Sequence, residues 1–486
     1  MSELVKKLEP KIIWNHFANL NAIPRPSKKE EQVIEFMMNF GKDLHLETFT
    51  DSVGNVIIRK PATKNFENRK TIVLQSHLDM VHQKNGTTIF DFDNEGINML
   101  IEGDWVTADG TTLGADNGMG VAAIMSVLSS KKIQHPKIEA LFTIDEETGM
   151  TGAMGLEAGL LEGEILLNLD TEEDDEIGMG CAGGIDVTAT GKYPEGVTRQ
   201  KTIGFSITVK GLNGGHSGMD IHKGLGNANK IMNRLLFDGF SKFGLRISEI
   251  NGGSLRNAIP RESNAIIAID KISQKIFLRN IELLIAQIKN EFSSIEPNLT
   301  IEIQEIASPE KVMELNIQEN FIRAIYTSLN GVYRMSPTIS GLVETSNNIA
   351  KVTVQKGLIK VKCLIRSSSE SNKQDLTNSL KSAFELAGFE VELSGEYPGW
   401  QPNVNSKILE IVSNIYEDLH GEKAHVAACH AGLECGILGQ NYPKMDMVSF
   451  GPTILGAHSP DEKVSISSTQ KFWRFLQEIL KNIPKK

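Results

Sequence analysis

Three short apolar runs in the first part of the chain end in histidine or acidic side chains. They are TIVLQSHLDM at residues 71–80, IEALFTID at 138–145 and EILLNLD at 164–170. Their apolar residues follow one another without alternation, which is typical of strands buried on both faces of a parallel sheet. In open α/β sheets, ligands bind in the crevice beyond the carboxyl ends of such strands. We therefore expect a site where these runs end.

Helical periodicity and turn residues flank these strands. Apolar spacing predicts helices at residues 10–20 and 27–44, and residues 46–60 predict a hairpin. Ser27 is expected to be the N-cap of the second helix, with Glu30 completing a capping box. The pattern therefore predicts a layer of helices packed on a sheet.

From residue 201 the pattern changes to alternating strands and amphipathic helices. The order strand–helix–strand–helix occurs twice over roughly 188–395, which predicts an α+β, ferredoxin-like region and favours an internal duplication. After residue 396 the first pattern returns, with a helix at 405–420 and the apolar strand MDMVSFGP. The sequence thus predicts an α/β domain with a mainly parallel sheet, formed by residues 1–187 and 397–486. Residues 188–396 form a second domain inserted into it.

Composition and charge exclude several classes of partner. Of the 486 residues, 40% are hydrophobic and 23% are charged, the balance of a soluble globular protein. The net charge of −11 leaves no basic excess to neutralise nucleic-acid phosphates. The N-terminus lacks a secretory signal, and no apolar run approaches the ~20 residues of a membrane span. Four cysteines without a CxxC pair indicate reduced thiols. We expect a cytoplasmic protein with neither nucleic acid nor membrane as partner.

Acidic and histidine side chains at strand ends and in glycine-rich loops form the candidate site. They are His77, Asp79, Asp116 in GADNG, Glu146, Glu147, Asp170, and His458 in GAHSP. Each alone has a plain structural explanation, since a glutamate pair is usually solvated and an aspartate after a strand often caps a helix. The set is more informative than its members, because each residue lies beside an apolar run where a pocket would form.

Histidine and carboxylate ligands suit zinc, or manganese and cobalt. Two such ions ~3.5–4 Å apart hold a bridging water, lower its pKa and polarise a substrate carbonyl. One carboxylate must bridge the ions, and each ion then needs a histidine and a further carboxylate. The residues that match this count are His77, Asp116, Glu147, Asp170 and His458. Another carboxylate must stay off the metals to take the proton from the water, and the adjacent Glu146 is the natural choice.

These motifs, in this order, resemble the M20 family of metallopeptidases. MGCAGGID, GLNGGHSGMDIHKGLGNANK, RNAIPRE, CLIRSS, YPGWQP and HAGLECG resemble its aminoacyl-histidine (Xaa-His) dipeptidase branch, and the likeness covers nearly the full chain. The resemblance implies a zinc-peptidase catalytic domain with an inserted lid domain at 188–396. It also implies hydrolysis of unblocked dipeptides, including Xaa-His types such as carnosine, by a hydroxide that bridges two zinc ions.

The resemblance implies metal roles for five residues. Asp116 would bridge the two ions. His77 and Asp170 would complete the ligand set of one ion, and Glu147 and His458 would complete that of the other. Zinc is the expected metal, and the same ligands accept manganese or cobalt.

The resemblance implies further roles outside the metal ligands. Asp79 would orient the first metal-binding histidine, and Glu146 would be the general base and then the general acid. In the lid, His216 of GGHSG would stabilise the tetrahedral intermediate. Asn257 of RNAIP and Arg366 of LIRSS would hold the substrate's C-terminal carboxylate.

Several alternatives stay open at this point. Another M20 hydrolase, such as a tripeptidase, carboxypeptidase or N-acyl amino acid deacylase, would carry the same metal motifs. A catalytically silent homologue would keep the fold but lose Glu146, Asp79 or a ligand, and all of these are present. Glu434 and His430 of HAGLECG are candidates for lining the pocket, and Glu434 could meet the free amine. A lid that serves a partner's site would make the protein a homodimer.

Overall fold

The computed structural model describes residues 2–486. The chain divides into two compact units. The first contains the residues up to Gly180, together with Trp400–Ala428 and Leu433–Lys486. The second contains Cys181–Gly399 and Cys429–Gly432.

Helices and strands alternate along both units. The helices are α1 (Ser2–Val5), α2 (Lys11–Leu20), α3 (Glu31–Asp43), α4 (Ala115–Ser129), α5 (Thr151–Gly155), α6 (Ala228–Phe243), α7 (Gln274–Glu291), α8 (Leu315–Thr327), α9 (Glu370–Leu386), α10 (Lys407–His420), α11 (Glu434–Asn441) and α12 (Ile466–Asn482). The strands are β1 (Glu47–Thr50), β2 (Val56–Lys60), β3 (Ile72–His77), β4 (Met99–Glu102), β5 (Trp105–Ala108), β6 (Ile138–Thr143), β7 (Ile165–Asn168), β8 (Glu176–Cys181), β9 (Gly183–Lys192), β10 (Glu195–Val197), β11 (Thr202–Lys210), β12 (Arg246–Gly252), β13 (Ser263–Asp270), β14 (Thr300–Ile306), β15 (Lys311–Met313), β16 (Gly331–Met335), β17 (Val343–Gln355), β18 (Leu358–Ser367), β19 (Glu390–Tyr397), β20 (His425–Cys429), β21 (Asp446–Ser449), β22 (Ile454–Leu455) and β23 (Lys463–Ser465).

The main sheet of the first unit has the strand order β1-β2-β6-β3-β7-β21-β8-β20. Its centre is parallel, because β3 pairs in parallel with β6 and β7, and β21 pairs in parallel with β7. Every residue of β3, β6 and β7 is buried, as the continuous apolar runs predict. The C-terminal segment completes this sheet through β21. The antiparallel hairpin β1–β2 forms its edge.

The registers of the central strands bring their carboxyl ends together. His77 at the end of β3 lies opposite Thr143 at the end of β6, and Gln75 lies opposite Asn168 at the end of β7. The chain segments that follow these three strands therefore start at one edge of the sheet. A separate four-stranded sheet, in the order β22-β23-β5-β4, supports the loop between β22 and β23.

The second unit contains two modules of strand–helix–strand–strand–helix–strand. One runs β11-α6-β12-β13-α7-β14 in the spatial order β14-β11-β13-β12, and the other uses β9, α8, β17, β18, α9 and β19 in the order β17-β18-β9-β19. Both orders are those of the ferredoxin-like motif. The expected duplication is present, and it is nested, because the first module lies in the chain between β9 and α8. Pairing of β12 with β17 joins the modules in one antiparallel sheet.

The prediction that Ser27 caps α3 is wrong. The helix begins at Glu31, four residues later, and the Ser27 Oγ donates a hydrogen bond to the Asp79 carboxylate at 2.8 Å. Glu30 accepts a hydrogen bond from the backbone N–H of Asp145 at 3.1 Å. Both side chains are buried. Ser27 has a tertiary partner, whereas Glu30 combines its bond from Asp145 with a local one from the backbone N–H of Lys28 at 2.9 Å. No helix among residues 2–486 is long and apolar enough to cross a membrane.

Candidate metal centre

His77 and Asp79 form a fixed pair at the end of β3. Nδ1 of His77 lies 3.3 Å from Oδ1 of Asp79 and 3.1 Å from its backbone oxygen. Both side chains are buried. Because these contacts occupy Nδ1, the opposite ring nitrogen, Nε2, faces the other acidic residues.

The Asp79 carboxylate also holds the loop after β6. Its Oδ1 accepts a hydrogen bond from the backbone N–H of Glu146 at 3.0 Å, and its Oδ2 accepts one from Glu147 at 3.2 Å. Asp79 therefore fixes the orientation of the His77 ring and the position of the Glu146–Glu147 backbone together. The sequence indicated the first of these functions only.

Asp116 lies between the two histidines of the site. Its Oδ1 is 3.2 Å from Nε2 of His77, and its Oδ2 is 3.3 Å from Nε2 of His458. The two oxygens of one carboxylate thus point towards two different imidazoles. A carboxylate that bridges two ions needs this arrangement.

The remaining acidic residues approach one or other histidine. Nε2 of His77 lies 3.6 Å from Asp170 and 4.0 Å from Glu146, whereas Nε2 of His458 lies 2.9 Å from Glu147. Three groups have ligand atoms within 4.8 Å of one another. These groups are His77–Asp116–Asp170, His77–Glu146–Glu147 and Asp116–Glu147–His458. The structure therefore brings together the five predicted ligands and Glu146, and Asp79 is in none of the groups.

The donor set fits divalent cations. Four carboxylates and two imidazoles converge here. Carboxylate oxygens and imidazole nitrogens are both ligands for zinc and related ions. The buried Oε1 of Glu147 has no hydrogen-bond partner among the described residues. A buried carboxylate oxygen without a partner is costly, and coordination of a cation removes that cost.

The pKa shifts show the same excess of negative charge. Burial raises the pKa of Glu146 well above its ordinary value, and the nearby Asp170 carboxylate raises it further. Burial lowers the pKa of His77, but the surrounding carboxylates outweigh this and hold it well above its ordinary value. Hydrogen bonds to Asp116 and Glu147 raise the pKa of His458 to about 11. The site therefore favours positive charge strongly.

Two buried residues that sequence reasoning missed brace the loop that carries Asp116. Glu462 accepts hydrogen bonds from the backbone N–H groups of residues 113–116, and Arg25 donates to the backbone oxygens of Leu78, Asp79 and Gly114. Burial raises the pKa of the Glu462 carboxyl to about 7. No local signal distinguishes either residue from a solvated charge, because their partners lie far away in the sequence.

Glu434 lies beneath the same edge of the sheet. Its Oε2 accepts hydrogen bonds from Gln75 Nε2 and Thr143 Oγ1, each at 2.6 Å, and burial raises its pKa to about 7. Its buried Oε1 has no hydrogen-bond partner among the described residues. The expectation that Glu434 meets a substrate amine stays a prediction.

The residues predicted for the lid form a cluster within the second unit. Arg366 is buried and donates to Tyr397 Oη at 2.9 Å, and its Nη2 lies 3.4 Å from Nε2 of His216. Nδ1 of His216 accepts hydrogen bonds from two backbone N–H groups, those of Gly218 and Met219. The backbone oxygen of the exposed Asn257 accepts a bond from the residue after His216. His430 also belongs to this unit, and its Nε2 lies 2.8 Å from Ser346 Oγ.

Histidines and carboxylates gathered at the carboxyl edge of a parallel sheet, with one carboxylate between two imidazoles, are typical of hydrolases that use two metal ions. The sequence profile of Peptidase family M20/M25/M40 matches residues 73–482. The chain belongs to this family.

Similarity to individual proteins extends over the whole chain. The chain is 45% identical over 488 residues to the cytosol non-specific dipeptidase of Escherichia coli (strain K12), covering 100% of both. It matches the crystal structure of aminoacylhistidine dipeptidase from Vibrio alginolyticus with a TM-score of 0.94 and 45% identity, again covering 100% of both chains. The aminopeptidase PepT of Bacillus cereus shares the fold, with a TM-score of 0.57 and 17% identity over 98% of this chain and 99% of that one.

Proposed function

We propose that this protein is a dipeptidase that uses two zinc ions to hydrolyse unblocked dipeptides, including Xaa-His types such as carnosine. The observation that carries the proposal is the position of Asp116, whose two carboxylate oxygens lie 3.2 and 3.3 Å from the two histidines. The substrate class rests on the full-length similarity to two proteins named as dipeptidases.

On this proposal Asp116 would bridge the two ions. His77 and Asp170 would hold one ion, and Glu147 and His458 would hold the other, in keeping with the distances between their ligand atoms. When bound, the ions lower the pKa of a shared water and polarise the scissile carbonyl. Manganese and cobalt suit the same ligands and are alternatives to zinc.

Glu146 is the general base and then the general acid. Its carboxylate lies 4.0 Å from His77, farther than the carboxylates of Asp116 and Asp170, which supports a position off the metals. Burial raises its pKa well above the ordinary value, which suits a group that must accept a proton and later return it. Glu146 takes the proton of the attacking water and delivers it to the leaving amine.

His216 stabilises the oxyanion that forms from the scissile carbonyl. Its Nδ1 accepts two backbone hydrogen bonds, so in the neutral ring the proton sits on Nε2, where it can be donated. Burial, with the Arg366 charge nearby, lowers the pKa of His216 and favours that neutral form. A donor aimed at a developing oxyanion contributes strongly to catalysis.

Arg366 and Asn257 hold the C-terminal carboxylate of the dipeptide. A guanidinium can make two parallel hydrogen bonds to a carboxylate, and Tyr397 fixes one side of this one. The lid that carries these residues is residues 188–396, between catalytic segments 1–187 and 397–486. A homodimer and a cytoplasmic location are part of the proposal, the latter because the Escherichia coli relative is named a cytosol dipeptidase.

A substrate panel tests the proposed function. The purified protein, loaded with zinc, manganese or cobalt, should hydrolyse carnosine and other free dipeptides with two metal ions bound per chain. Matched tripeptides, N-acetylated amino acids and dipeptide amides should be poor substrates. Preference for tripeptides or N-acyl amino acids would instead indicate a different M20 hydrolase. Metal binding without hydrolysis would indicate a silent homologue.

A further inference from the structure

The helix that carries Asp116 begins without a cap of its own. The first N–H groups of an α-helix have no partner within the helix. The N-cap position of α4 is Gly114, which has no side chain to accept them and has φ +70°. A Cβ there would lie 2.6 Å from Arg25 Nη2, so a capping serine or aspartate does not fit at this position.

Glu462 supplies the missing acceptors from a distant part of the chain. Its Oε2 accepts from the N–H groups of Leu113 and Gly114 at 2.7 and 2.8 Å, and its Oε1 accepts from Ala115 and Asp116 at 2.7 and 3.2 Å. All four donors belong to the loop around Asp116, where the backbone of Asp116 and Asn117 departs from helical φ/ψ angles.

The same residue follows His458 by four positions in one hydrogen-bonded loop. The Glu462 N–H donates to the backbone oxygen of Ser459 at 3.1 Å, and Ser459 in turn donates to Gly456 at 3.2 Å. A hydrogen-bonded turn therefore separates Glu462 from His458. Immediately after it, β23 is paired with β5, which anchors the segment to the small sheet.

We infer that Glu462 is a positioning residue for the metal centre, an inference that rests on the proposed function. Its carboxylate fastens the loop of Asp116 to the loop of His458. It thereby sets the distance between the Asp116 carboxylate and the His458 imidazole, which is 3.3 Å. Glu462 is 2% exposed, and it acts through Asp116 without touching substrate.

The test compares Glu462→Gln and Glu462→Asp with a matched control, Glu139→Gln. Glu139 is also a buried glutamate of the first unit, and its Oε2 accepts the backbone N–H groups of Glu162 and Gly163 at 2.7 and 2.9 Å. It lies outside the metal groups.

Each protein is stripped of metal and titrated with Zn²⁺ against a competing chelator. The absorption spectrum of each Co²⁺-loaded protein reports coordination geometry. Tryptophan fluorescence of the metal-free proteins reports stability.

We expect both Glu462 variants to bind metal about 10- to 100-fold more weakly than wild type and to have an altered Co²⁺ spectrum, as is usual when a partner of a ligand is changed. Glu139→Gln should bind metal as wild type does, even where its unfolding midpoint falls. The aspartate variant keeps the charge and both oxygens, and it decides the question if the glutamine variant does not fold.

Wild-type metal affinity and an unchanged Co²⁺ spectrum in Glu462→Asp would overturn the inference. So would equal losses of affinity in Glu139→Gln, since these would reflect stability alone. If the wild-type protein binds no pair of ions, the proposed function itself fails. Two ions bound by the wild type and by both Glu462 variants with equal affinity would refute only the role of Glu462.

Discussion

Glu146 and Glu147 are neighbours in the chain, yet their side chains have different surroundings. Glu147 lies 2.9 Å from His458 and has a buried oxygen without a hydrogen-bond partner in residues 2–486, whereas Glu146 comes no closer than 4.0 Å to His77. Asp79 holds both backbone N–H groups, so the two carboxylates diverge from a fixed base. The proposed difference between the base, Glu146, and the ligand, Glu147, therefore depends on the direction in which each side chain leaves this backbone turn.

Exchanging each glutamate for glutamine separates the two roles. Glu146→Gln should lower kcat by about 10²–10⁴-fold, because a proton acceptor is removed, while metal content stays near wild type. Glu147→Gln should lose metal affinity, because a charged ligand is replaced by a neutral one. Dipeptide kinetics and metal analysis of the same preparations check both outcomes. Loss of a metal ion from Glu146→Gln would make Glu146 a ligand, as the group His77–Glu146–Glu147 allows.

At the scale of elements, β3 depends on complete burial on both faces. Leu74 at its centre is fully buried and lies opposite Ala140 of β6 and Leu167 of β7. The same strand ends at His77. The packing that stabilises the sheet therefore also fixes where the first predicted metal ligand emerges.

Leu74→Ala should lower the free energy of unfolding of the first unit by about 2–5 kcal/mol, through lost burial and a residual cavity. Leu455→Ala is the matched control, since Leu455 lies in a strand of the same unit but is 39% exposed. This substitution should lower the free energy of unfolding by less than about 1 kcal/mol. All four tryptophans, Trp14, Trp105, Trp400 and Trp473, lie in the first unit. Urea unfolding followed by tryptophan fluorescence therefore measures this unit. Equal effects of the two substitutions would show that β3 is not part of its cooperative core.

One strand of the second unit gives no strand signal over part of its length. The polar run Thr345–Asn348 of β17 does not resemble a buried strand. These residues are buried, and their side chains have distant partners. Asn347 donates to the backbone oxygen of Leu329 at 2.7 Å, and Asn348 donates to that of Ala258 at 2.8 Å. Such partners satisfy the N–H groups of buried amides but leave no mark on local periodicity.

At the scale of the whole molecule, we expect the cluster of acidic residues around Asp116 to make the stability of the first unit depend on bound cations. Removal of metal should lower the thermal midpoint of this unit, because ions that bind only the folded state stabilise it, by about 2.7 kcal/mol per site at 100 times Kd. Tryptophan-detected melting with and without a chelator measures the shift, and added zinc should reverse it. The predicted ligands lie far apart in the chain, from His77 to His458, so bound ions would cross-link its two segments. An unchanged midpoint at saturating chelator would contradict the proposed ligand set.

Local patterns in the sequence determined the buried parallel strands, most helices and the identity of the acidic and histidine residues at strand ends. These features depend on periodicity and on neighbours within a few residues, so they can be recognised without the fold. The division of the domains at residues 187 and 396 stays a prediction.

Only the tertiary structure decided how those residues face one another. The two oxygens of Asp116 point to histidines 39 and 342 positions away, and Glu462 accepts the N–H of Ala115, 347 positions earlier. Strand pairing likewise determines the nested order of the two modules in the second unit. Hydrogen bonds and ligand geometry of this kind depend on distances in space, and the sequence specifies them only through the complete fold.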